Sequence, residues 1–127
     1  MAVTWEPQER AEIEVGIRRH PLASGRCAAL ARVVYRVGKP RDEATRGRQV
    51  RPLRRSAARY VVPRTPHPPL WGSHTLTETQ EHGVDGLTGV EGCAASEYLA
   101  RHWLYAEALE VHDVDVFSVD QNIEADE

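Results

Sequence analysis

The sequence predicts an α+β domain in which a helix carrying a cysteine packs on a small antiparallel sheet. Three observations lead there. Apolar residues recur at three- and four-residue spacing in the N-terminal third, the stretch 73–87 alternates around a turn signal, and a second amphipathic run follows residue 93. The chain has 127 residues, enough for one core and too few for two, so residues 1–127 are read as a single domain.

The first helix is predicted over 7–19, "PQERAEIEVGIRR", with proline at the first helical position, acids early and arginines late. His20-Pro21 ends it, because the residue before proline is pushed out of the helical region. A second helix is predicted over 25–37, with Ser24 as N-cap, a buried stripe of Ala28, Leu30, Ala31, Val34 and Val37, and Gly38 as the stop. From 39 to 69 the chain is rich in arginine and proline and reads as loop, with "ARYVV" at 58–62 as its only strand. In 73–79, Thr75, Thr77 and Thr79 share one face and His74 and Leu76 the other. A turn near Glu81-His82-Gly83 returns the chain through Val84 and Leu87. Residues 94–109 read as a helix with Tyr98, Leu99, His102, Trp103 and Ala106 on one side, 111–119 as a strand, and 120–127 as a frayed acidic tail.

Charge is divided along the chain. Residues 1–64 carry 15 basic and 6 acidic side chains, a net of +9, whereas 65–127 carry 1 and 13, a net of −12. The basic half suits carboxylate or phosphate partners, or the acidic half of the same fold. No apolar run approaches the ~18 residues of a spanning helix and no secretory leader opens the chain, so a cytoplasmic protein without membrane contact is expected. Cys27 and Cys93 form no CxxC pair, so reduced thiols are expected.

Cys27 lies at the head of the second helix, where unpaired N–H groups and the positive dipole end favour a thiolate and can hold an oxyanion. Such a thiol needs a base. His74, at the start of a strand beside Trp71-Gly72, can take its proton and later return it. Asp85 follows eleven residues later, so a hairpin centred between Thr79 and Gln80 sets it opposite His74, where a carboxylate orients the ring. Cys27, His74 and Asp85 are therefore the candidate catalytic residues, with Trp71 as a wall of their cleft.

These segments, "GRCAALARVVYRV", "GSH" and "VDGLTG" in the order Cys, His, Asp, resemble the papain-like cysteine fold. They are most similar to the small papain-fold toxin domains of bacterial polymorphic toxin systems, with the transglutaminase-like group as a cousin; "GCAASEYLARHW" resembles the tail of those domains. The resemblance spans about residues 22–110. It implies Cys27 as nucleophile, His74 as base and Asp85 as orienter, with acyl transfer through a thioester: proteolysis, glutamine deamidation or transglutamination. It also implies a protein substrate, delivery into a target cell's cytoplasm and an immunity or other partner protein. Peptidases of this fold place a glutamine a few residues before the cysteine; here that region reads "RRHPLAS", and the nearest upstream glutamine is Gln8.

Other readings use the same residues differently. Cys93 repeats the glycine-then-helix setting without a following histidine and carboxylate. Cys27, His74, His82 and Cys93 offer mixed zinc ligands, but at spacings that match no closed site, so no metal is expected; His82 is more simply a turn residue. Seven arginines from Arg46 to Arg64, with Tyr60, could bind nucleic acid, or recruit an acidic protein and make the chain a non-catalytic interaction or adaptor protein. The acidic strand "VHDVDVFSVD" could hold a divalent cation, though it lacks a calcium-hand loop. No phosphate-binding glycine motif is present, and no nucleotide or other cofactor is expected.

Overall fold

Helix α1 (Pro7–Arg19) begins and ends as its sequence dictates: a capping box between Glu6 and Glu9 closes the N-terminus, and Arg18 and Arg19 occupy the last turn. His20 then ends the helix, its N–H donating to Gly16 O at 2.9 Å. The computed structural model describes residues 2–64, 70–119 and 125–126. Helix α2 (Cys27–Gly38) buries the expected stripe, Ala28, Leu30, Ala31, Val34 and Val37, together with Cys27. It starts two residues later than predicted. Leu22–Ser24 form a separate 3-10 turn and Gly25 adopts a left-handed φ of 69°. Ser24 is accordingly not the N-cap: that position belongs to Arg26, and the Ser24 hydroxyl accepts the Arg26 N–H at 3.2 Å.

Five antiparallel strands form the main sheet in the order β5-β4-β3-β1-β6. They are β1 (Arg46–Pro52), β3 (His74–Thr79), β4 (His82–Val84), β5 (Cys93–Ala94) and β6 (Leu109–Val114). A two-residue strand β2 (Leu70–Trp71) pairs separately with β7 (Ala125–Asp126). The threonine face of β3 meets α2. Thr75, Thr77 and Thr79 are buried, the Thr77 hydroxyl donates to Ala31 O at 2.6 Å, and Thr79 shares a 2.8 Å hydrogen bond with Thr45. The result is an α+β fold with three α-helices and a five-stranded antiparallel sheet among the described residues.

Several expectations are corrected. The predicted loop 39–69 contains the strand β1, flanked by β3 and β6 on its two sides. Its arginines disguise it: Arg46 reaches Glu78 at 3.1 Å and Arg48 pairs with Asp113, so both neighbouring strands supply the opposite charge. The expected strand 58–62 reduces to one bridge between Val61 and Trp71, and residues 65–69 lie outside the described residues. The helix expected over 94–109 is broken. Cys93–Ala94 instead pair with β4, α3 spans only Tyr98–His102, Tyr105 takes a left-handed φ of 56°, and Leu109 opens β6. Tertiary burial overrides helical periodicity here, because Tyr98 and Trp103 are both drawn into the core. The strand expected over 111–119 runs from 109 to 114, since Asp115 turns the chain by accepting the Phe117 N–H at 2.9 Å. Most of the predicted tail 120–127 lies outside the described residues, apart from β7.

Gly47 is needed where β1 pairs with the end of β6, opposite Val114. A Cβ there would lie 2.5 Å from Val114 O and 2.5 Å from Val116 Cγ1, and the carbonyl cannot swing aside without breaking the ladder. Gly47→Ala is expected to destabilise the fold by about 1–3 kcal/mol, measured by urea denaturation.

Candidate active site

Three elements converge at one end of the sheet. Cys27 is the first residue of α2, His74 the first of β3, and Asp85 follows directly on β4. The Cys27 sulfur lies 3.0 Å from His74 Nδ1, and His74 Nε2 lies 2.8 Å from Asp85 Oδ2. An ionised carboxylate only accepts hydrogen bonds, so Nε2–H donates to Asp85 and the Nδ1 lone pair faces the thiol. That tautomer is the one able to take the thiol proton.

Asp85 reaches His74 by a route other than the expected one. The hairpin pairs Thr79 with His82 and Thr77 with Val84, with Gln80 and Glu81 as two loop residues at φ 51° and 62°, a type I′ arrangement. Asp85 is therefore not opposite His74 but displaced by two residues. A two-residue shift keeps a side chain on the same face, whereas one residue would have turned it away. His82, predicted in the turn, instead opens β4, its Nδ1 2.7 Å from Gln80 O.

The acid is held by a full set of donors. Oδ1 accepts the Leu87 and Thr88 N–H groups, each at 2.9 Å, and Oδ2 accepts the Tyr98 hydroxyl as well as His74. Asp85 is 2% exposed, and burial alone would raise its pKa. The hydrogen bond and charge of His74, with Tyr98 and the Thr88 amide, outweigh burial and hold it below the ordinary carboxylate value. Burial likewise pulls His74 down, but the Cys27 charge and the Asp85 hydrogen bond prevail and set the ring well above the ordinary histidine value. Tyr98 is pushed well above the usual phenol value, first by burial and then by the Asp85 charge, so its hydroxyl stays a donor.

Trp71 walls the site as expected: its ring stacks on His74 at 4.9 Å with an interplanar angle of 16°. Trp103 closes a second side at 5.2 Å. The sequence period puts Trp103 and Tyr98 on one apolar helix face, and nothing in it marks Tyr98 as a partner of Asp85. Its role arises only from the break in the predicted helix. Over the sulfur lies a cavity of about 10 Å³, room for about one water, lined by His20, Pro21, Leu22, Leu30, Thr75 and Gly86.

The rival residues lie elsewhere. The Cys93 thiol is 3.6 Å from Ala94 O, and burial, the largest influence on it, raises its pKa. Cys27, His74, His82 and Cys93 form no group able to hold a metal among the described residues. Of the seven arginines, Arg46 and Arg48 are paired with acids, Arg51 Nε donates to Gln49 at 2.5 Å, and Arg64 Nε donates to Ala100 O at 3.2 Å. Of the acidic strand's aspartates, Asp113 is held by Arg48 and Asp115 caps a turn. No helix among the described residues is long and apolar enough to cross a membrane.

Fold and site together define an α+β domain with a buried Cys-His-Asp relay at the head of a helix. Comparison with protein-family models, curated proteins and solved structures returns no match.

Proposed function

We propose that this chain is a cysteine-dependent acyl-transfer enzyme of papain-like design that acts on a protein amide. The observation that carries the reading is the relay itself, with sulfur, ring and carboxylate joined at 3.0 and 2.8 Å and the acid's remaining lone pairs satisfied by donors that hold it still.

His74 Nδ1 takes the Cys27 proton, and the resulting imidazolium is stabilised by Asp85. The sulfur attacks the amide carbonyl carbon, the C=O π pair moves to oxygen, and the Cys27 N–H, which has no acceptor inside α2 as its first residue, faces that charge. Collapse breaks the C–N bond as His74 returns the proton to the leaving amine. A thioester remains. Water, deprotonated by His74, then releases the acid, or an amine acceptor takes the acyl group. A backbone amide makes this proteolysis; a glutamine side chain makes it deamidation or transglutamination. The order of the three residues along the chain and their short segments support a likeness to papain-fold toxin domains, which would add delivery to a target cell's cytoplasm and a protein partner.

The cavity over the sulfur admits about one water, so a protein amide needs its lining to open, and Leu22, whose side chain lies beside Gly86, is part of that lining. The 3-10 turn bearing Leu22 sits between Pro21 and Gly25 and is the segment placed to open it.

The test is acetylation by p-nitrophenyl acetate, followed by peptide mass spectrometry. An acyl group on Cys27 that is released on standing, and is absent in Cys27→Ser, is the expected result. No acyl-enzyme, or acetylation of Cys93 alone, overturns the reading.

A further inference from the structure

The cavity over Cys27 is lined by an imidazole that the relay does not use. His20 lines it together with Cys27 and His74, and His20 Nδ1 is shielded from solvent with no hydrogen-bond partner among the described residues. A buried imidazole nitrogen without a partner is costly unless something else supplies one. Its backbone is fixed from both sides: its N–H donates to Gly16 O at 2.9 Å at the end of α1, and Pro21 restricts its conformation.

We propose that His20 is a catalytic residue whose Nδ1–H binds the oxyanion formed when Cys27 attacks a carbonyl. The proposal rests on the acyl-transfer reading and assigns the second donor that reading lacks. His20 lies seven residues before Cys27, within "RRHPLAS", where no glutamine is available to donate. The balance is simple. The Sγ–C bond forms, the C=O π pair becomes the oxygen lone pair, and His20 donates a hydrogen bond without losing its proton. When the C–N bond breaks the carbonyl reforms, and the amine takes its proton from His74. His20 suits this task because burial, and then the positive Arg26 and Arg19, lower its pKa below the ordinary histidine value. The ring is neutral near pH 7, with one N–H to offer and no proton to compete with His74 for the thiol's.

Two reagents separate this role from a structural one. p-Nitrophenyl acetate reacts through an oxyanion, whereas iodoacetamide alkylates sulfur by direct displacement and forms none. Both rates are measured on the full chain for wild type, His20→Leu and His20→Gln, and the acylation-to-alkylation ratio is compared. His20→Leu is expected to lower that ratio about 100-fold, the scale of losing one oxyanion donor, and His20→Gln, which keeps an N–H, to restore most of it. An unchanged ratio in His20→Leu overturns the proposal, whether both rates hold or both fall together. Failure of His20→Gln to recover any of the ratio also overturns it. If wild type reacts with neither reagent, the acyl-transfer reading falls and this proposal with it. Wild type reacting with both at an unchanged His20→Leu ratio sinks His20 alone.

Discussion

Replacing His74 with alanine is expected to slow alkylation of Cys27 by iodoacetamide at pH 6 by about 100-fold, and to change the shape of the pH profile. The thiolate is the reactive form, and a protonated ring 3.0 Å away stabilises it. Because the ring can take the thiol proton and hold it with Asp85 behind it, the wild-type rate should fall less steeply from pH 8 to pH 6 than the variant's. Without it, the rate should fall about tenfold per pH unit, as for an unassisted thiol with a pKa of ~8.5. Superimposable profiles in wild type and variant would remove the base from the mechanism.

Asp85→Ala is the substitution expected to cost the most stability. It strands the buried His74 N–H and Tyr98 hydroxyl and the part-buried Leu87 and Thr88 amides at once. Removing one partner of a buried charged pair costs about 3–5 kcal/mol, against a total of about 5–15 kcal/mol for a domain, so urea unfolding should shift to much lower concentration. The carboxyl also predicts an acid limb. Its folded pKa lies below its unfolded value of ~3.9, so its contribution is complete above about pH 4 and is lost as pH falls through the folded value. Melting temperatures from pH 5 to pH 3 should therefore drop more steeply in wild type than in Asp85→Asn. Parallel slopes would mean that Asp85 is not held as an ion in the folded protein.

Helices α1 and α2 were legible because each carries its own signals: proline and acids at one start, a proline stop, and an uninterrupted apolar stripe. The alternation of β3 was legible from its three threonines, but that this face meets α2 was decided by the fold. Strand β1 was not, because strand propensity is judged one segment at a time and the stability of Arg46 and Arg48 in mid-sheet depends on Glu78 and Asp113, which come later in the chain. The helix predicted over 94–109 failed for the converse reason. Its periodicity is genuine, but the exposed edge of β4 takes Cys93–Ala94 as a fifth strand and the core takes Tyr98 and Trp103.

The identities of Cys27, His74 and Asp85, and the faces they occupy, follow from local patterns, since helix and strand periods are properties of the chain itself. Tertiary structure decided the rest. It set the hairpin register two residues from the expected one, bonded Tyr98 to Asp85, stacked Trp71 on His74 and turned His20 into the cavity above the sulfur. Each of these joins residues distant in sequence through packing and charge, and a contact between distant residues leaves no spacing for a linear reading to detect.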